Sequence, residues 1–194
     1  MLASFVLYLI PTNCNQHNTL YSIKPGYNHM VVDYYSVFLS LLAGLFSTLV
    51  MSIFEFPFWR KWGLEGVLEW HENQVLFSKF FKTNRMQINY PGLFFLHFIN
   101  GGLGGIGFYF LLILVPFLST TVFSIAITIA ITIAIGIGIL YGLVLWVLTL
   151  LPIHKPITGI DPFKHPLGLG PAITSLIGHL LYGAILAVLM ILIF

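Results

Sequence analysis

The chain has 194 residues, of which 58% are hydrophobic and 7% charged, and its net charge is +2 with a mean hydropathy of +0.97. A soluble domain carries about 25% charged residues, and a folded chain of ~200 residues still turns most of its surface to water. Eight basic and six acidic side chains cannot cover that surface, which excludes a soluble enzyme, a disordered chain and a nucleic-acid binder and leaves an all-α polytopic membrane protein. The lone cysteine, Cys14, excludes an intrachain disulfide and every multi-cysteine metal site.

Residues 1–33 read as an extramembrane arm. Met1 to Ile10 is apolar but too short to cross a bilayer, and the polar run Pro11 to His29 has no core of its own, so a partner is expected to hold it. From residue 34 the charges are segregated. No Asp, Glu, Lys or Arg occurs from Tyr34 to Phe54, across the 69 residues between Arg85 and Lys155, or after Lys164. A helix needs ~20 apolar residues to cross a core of ~30 Å. Residues 34–194 are therefore expected to form a four-span transmembrane bundle, with spans at about 34–58, 92–116, 121–152 and 171–194. The 69-residue run must turn once, and Val115 to Thr121 is its only segment with breaker chemistry. A further turn among residues 136–142 would have glycines but no polar group to support it.

Isoleucine occupies every odd position from Ile125 to Ile139, an alternation that elsewhere marks a strand. A lone strand in lipid leaves its backbone unpaired. As a helix, the same stretch aligns Ala126, Ala130, Ala134, Gly138 and Gly142 into a stripe for close helix packing.

Seven of the eight basic residues fall in two loops, 58–91 and 153–170. Four spans put both loops on one side, which the positive-inside rule makes cytoplasmic, with both termini outside a cell (plasma) membrane. The first loop is expected to hold an interfacial amphipathic helix at about 60–80. Leu64, Val67, Leu68, His71 and Val75 share one face and Glu65, Glu69 and Glu72 another, with Trp59, Trp62 and Trp70 nearby. The acidic stripe reads as a solvated face, or alternatively as a docking surface for a basic partner. The second loop, with five prolines from Pro152 to Pro171, reads as a rigid extended connector. Its His154-Lys155 and Lys164-His165 pairs read as surface charge for anionic headgroups.

The second and fourth spans begin alike. His97-Phe98-Ile99-Asn100-Gly101 aligns with His179-Leu180-Leu181-Tyr182-Gly183, and Gly105 with Ala187. Each span thus carries His, small, small at a spacing of four, which suits two tandem helical hairpins in a pseudo-two-fold four-helix bundle. Gly101, Gly105, Gly183, Ala126, Ala130, Ala134 and Gly138 are the expected helix-packing positions. The run Gly101-Gly102-x-Gly104-Gly105-x-Gly107 follows no strand, so it serves packing and not a dinucleotide. The stretch Gly44-Leu45-Phe46-Ser47-Thr48-Leu49-Val50-Met51, followed by the His97 and His179 span starts, resembles the uncharacterised YagU-like family of small four-helix membrane proteins over residues 34–194. The resemblance implies a four-helix fold and no chemistry. The N-terminal arm and the 30-residue loop depart from its compact pattern.

His71, His97, His154, His165 and His179 all fall toward the loop side, as does Glu55, the acid inside a span. A charge in a span is costly and usually has a partner, so Glu55 is expected to pair with His97 or His179. Four readings compete. His97 and His179 can hydrogen-bond across helices and fix the bundle. They can hold a haem b. Glu55, His97, His179 and His154 can bind a metal. Or the group can form a quinone or proton-handling pocket. No catalytic residues can be assembled. The expected function is an accessory subunit, without a catalytic site, of a larger membrane complex of the respiratory electron-transport kind. That reading rests on small-residue stripes on every span, the interfacial helix and the arm. The alternatives are a haem- or quinone-binding redox protein using His97 and His179, and a small transporter.

Overall fold

The computed structural model describes residues 34–83, 88–114 and 127–193, the side chains of residues 127–130 excepted. The expected arm, the turn at Val115 to Thr121 and Ala126 lie outside these residues, and of Ala130 only the backbone lies within them. The described residues form an all-α fold. α1 spans Tyr34–Trp62, α2 Leu68–Phe81, α3 Tyr90–Leu114, α4 Ile127–Thr149, α5 Lys155–Thr158 and α6 Gly170–Ile193. Helices α1, α3 and α6, together with the run from Ile131 to Thr158, are each long and apolar enough to cross a bilayer. The protein is a multi-pass membrane protein built as a four-helix bundle.

The helices are oriented inside out relative to a soluble bundle. The buried face of α1 is Ser40, Ala43, Gly44, Ser47, Thr48, Met51, Ser52 and Glu55, while Phe38, Leu42, Phe46, Leu49, Ile53 and Phe56 point outward. In lipid the outside is as apolar as a core, so association is driven by close packing of small residues. The hydroxyls on that face are satisfied within the helix. Ser47 donates to the Ala43 carbonyl, Thr48 to Gly44 and Ser52 to Thr48, each at 2.8 Å.

Helix α1 packs on α3 and on α6, and α4 packs on α6. Two close crossings hold these pairs. A Cβ on Gly105 would come within 2.9 Å of the Gly44 Cα, and one on Gly183 within 2.9 Å of the Gly142 nitrogen. Ala134 and Gly138 also face α6, Gly138 against Gly183 and Ala187. The expected packing positions Gly101, Gly105, Gly183, Ala134 and Gly138 are thus spent inside the chain, and the two crossings match the two-hairpin pattern.

Three boundaries differ from the sequence reading. Helix α1 runs four residues past 58, to Trp62, and ends at Gly63, whose φ of 74° suits glycine and whose N–H donates to the Trp59 carbonyl. The loop helix starts only at Leu68. The connector after Pro152 is not extended. The chain continues from α4 through a π turn, Leu150–His154, into α5, and stops at Gly159 with φ 82°. Proline has no N–H to donate, and the wider π turn passes it without breaking the helix. A 3-10 turn at Pro162–Lys164 then leads to α6.

Helix α2 folds back onto α3, α6 and α5. Lys79 on α2 donates to the Ile157 carbonyl at 2.8 Å, so both basic loops sit at one end of the bundle.

Candidate functional site

At that end the structure brings three carboxylates to three histidines. His97 Nε2 on α3 is 3.9 Å from Glu55 Oε2 on α1; His179 Nδ1 on α6 is 3.3 Å from Glu69 Oε1 on α2; His154 Nδ1 in the π turn is 3.4 Å from Glu72 Oε2 on α2. Glu55 therefore pairs with His97, as one of its two expected partners. His179 and His154 are taken by the stripe expected to be solvated. That expectation is corrected: Glu69 and Glu72 turn inward, their side chains only 12% and 14% exposed. The reason is the rotation of α2 about its axis. It carries apolar residues on two sides, and burying Leu68, Trp70 and Val75 between α3 and the α6 start carries Glu69, Glu72 and Asn73 onto the bundle end. His154 and His165, expected as surface charge, are also buried, at 0% and 5% exposure.

The pairs differ in quality. His179 Nδ1 faces both Glu69 and the Ser175 carbonyl at 3.0 Å. Two acceptors on one nitrogen put a proton there. Ser175 also donates its hydroxyl to Glu69. Burial raises the Glu69 pKa, but the His179 hydrogen bond and charge and the Ser175 hydroxyl outweigh it and hold the carboxyl below the usual range. Glu55 is less well served. It is completely buried, its two oxygens make no hydrogen bond, and neither do His97 Nε2 nor the Trp70 indole nitrogen beside them. At 3.9 Å the Glu55–His97 pair is too long for a direct bond and short enough for one hydroxyl to bridge.

A cavity of about 120 Å³ opens beside these groups, lined by Glu69, Glu72, Asn73, His97, Asn100, Thr149, His179 and Tyr182 among others. That is room for about four waters at ~30 Å³ each, and close to the 150 Å³ that accommodates a benzene ring. It is too small for a haem, since even drug-sized ligands occupy about 300–1,000 Å³. Among the described residues, no three His, Cys, Asp or Glu side chains converge as metal ligands do. Glu55, His97, His179 and His154 are instead divided among the separate pairs.

The cavity's walls include α3 and α4. These two helices do not pack backbone to backbone; Tyr141 on α4 bridges them by donating to the Gly104 carbonyl at 2.7 Å. Tyr182 on α6 donates to the Gly101 carbonyl at 2.6 Å. Below Tyr141, Asn100 is exposed on α3, bonded to Asn73 at 3.3 Å. Asn100 lies about 15 Å along α3 from its start, within the apolar span. An exposed amide at that depth is unfavourable in lipid alone.

Sequence reasoning identified His97, His179, Glu55 and His154 but missed Glu69, Glu72, Asn73, Asn100, Ser175 and Tyr182. The signal present for α2 was Glu69, Glu72 and Asn73 at i, i+3 and i+4, one helical face. For α3 and α6 it was Asn100 and Tyr182, which occupy the same place in the internal repeat. Comparison with protein-family models, with curated proteins and with solved structures finds no match.

Proposed function

We propose that the chain binds the polar head of a membrane-dissolved amphiphile of the quinone–quinol class, in the cavity beside His97 and His179, and exchanges protons with it. The observation that carries this reading is a small cavity in the apolar bundle whose walls bring together Glu69, Glu72, His97 and His179. A quinone head is a flat six-membered ring with two oxygens, each of which accepts a proton on reduction. His179 with Glu69 and His97 with Glu55 offer one acid–base pair apiece.

The test uses the full chain in lipid nanodiscs titrated with decylubiquinone, followed by tryptophan fluorescence, because the Trp70 ring is 6.3 Å from the His97 ring. Saturable quenching is expected in the wild type. The dissociation constant should weaken at least tenfold, about 1.4 kcal/mol, in Glu69→Gln and His179→Leu. Identical titrations in wild type and variants would overturn the reading.

Electrons for such chemistry would come from another subunit, because one cysteine cannot hold an iron–sulfur cluster. This keeps the chain within a larger electron-transport assembly of the plasma membrane, as a subunit whose basic loops 58–91 and 153–170 are cytoplasmic and whose termini are outside. The two basic loops at one end of the bundle support that orientation. The small-residue stripes no longer support a partner, since the chain uses them itself. Purification in mild detergent should bring redox subunits along; a clean monomer would remove the assembly and leave the pocket.

A further inference from the structure

A line of histidines that ligand binding does not use runs from the cavity toward the aqueous face. Glu72 lines the cavity and reaches His154 at 3.4 Å. His154 is fully buried, and neither of its ring nitrogens makes a hydrogen bond. Its ring faces that of His71 on α2, with centroids 6.1 Å apart, and His71 Nδ1 is likewise buried without a hydrogen bond. His71 is itself only partly buried, at the end of the line away from the cavity. Histidines that merely fix a fold have their ring nitrogens hydrogen-bonded; histidines that serve as surface charge are exposed. His154 and His71 are neither, and His154 is carried on a π turn, a feature common at functional sites.

We propose that His71, His154 and Glu72 form a proton relay joining the aqueous phase to the cavity. Each imidazole takes a proton on one ring nitrogen and releases one from the other, and Glu72 receives it as a carboxylate and passes it inward. Water outside supplies the proton, and each group returns to its starting charge. The groups facing this line are Glu65, Glu69 and Glu72 from α2. Of the lysines at this end, Lys155 is engaged with Asp161 at 3.3 Å and Lys79 with the Ile157 carbonyl. Burial, then the charge of His154, pushes His71 down to about 4. It therefore rests neutral and passes protons on instead of storing them.

The relay rests on the cavity being an acid–base site, not on the ligand it takes, so it is tested without ligand. The full chain labelled with ¹⁵N-histidine is placed in nanodiscs, and exchange of the His97 and His179 ring protons with water is measured by magnetic resonance. Exchange should slow at least tenfold in His154→Phe and in His71→Phe, and not in Lys155→Gln. If His154→Phe does not fold, His71→Phe decides, since His71 is only partly buried. Unchanged exchange in a folded relay variant overturns the relay even if decylubiquinone binds. Slowed exchange with no decylubiquinone binding upholds the relay and sinks the quinone reading.

Discussion

Glu55→Met should make the protein more stable and less functional. Glu55 is wholly buried, its oxygens make no hydrogen bond, and its histidine partner stands at 3.9 Å. An unsatisfied buried polar group costs about 1–3 kcal/mol, more when charged. Replacing a whole buried ion pair by apolar residues is often neutral or stabilising by about 1–4 kcal/mol, whereas removing one partner of a bonded pair destabilises. At 3.9 Å Glu55 and His97 are not directly bonded, so the first case applies. Methionine keeps the length and flexibility of glutamate, so it suits the closely packed site beside Gly178. His97 Nε2 makes no direct hydrogen bond to Glu55, so the substitution breaks none there. The expected gain is about 2 kcal/mol, or roughly 4–8 °C in Tm for a chain of this size. Thermal unfolding of the purified protein in a mild detergent, followed by circular dichroism, reads it, and decylubiquinone affinity should fall in the same variant. A Tm lowered by Glu55→Met would show that the carboxyl is a structural tie, and the argument that it is retained for chemistry would fail.

Four further outcomes are expected. Gly105→Ala should destabilise by about 1–3 kcal/mol, because its Cβ meets the Gly44 backbone, which cannot yield. Gly136→Ala meets nothing within 4 Å and should be neutral or stabilising by up to about 1 kcal/mol; thermal melts of the pair give the contrast. Tyr141→Phe removes the α3–α4 bridge and should cost about 1 kcal/mol while raising the association rate of decylubiquinone in stopped-flow quenching. On acidification, His71, held at about 4 by burial and the His154 charge, binds fewer protons folded than unfolded between pH 6.5 and 4. Stability should therefore fall as pH drops through that window. Glu69, which burial alone would raise but His179 and Ser175 hold low, adds a loss of the same sign below pH 4.5. Melts across pH should show both phases, and His71→Gln should flatten the upper one. Stability rising on acidification from 6.5 would contradict the buried, neutral His71.

The sequence alone determined that this chain lives in a bilayer, that it crosses four times, that both basic loops share an end, and that His97 and His179 occupy equivalent places in a repeat. Those properties follow from quantities that run along one dimension: hydropathy summed over a span, breaker residues, charge position and the spacing of small residues. Glu55 with His97 was also within reach, because a buried carboxyl in an apolar span needs a partner at its own depth. Tertiary structure decided the rest. Whether Glu69 and Glu72 meet water or histidines depends on the rotation of α2 about its axis, and a helix with apolar residues on two sides does not encode that rotation by itself. Whether His154 is exposed depends on Pro152 being passed by a π turn, where the sequence pattern favoured a break. The cavity's walls likewise depend on α1–α3 and α4–α6 packing through glycine while Tyr141 bridges α3 and α4, an arrangement set by the bundle's geometry and by no single helix.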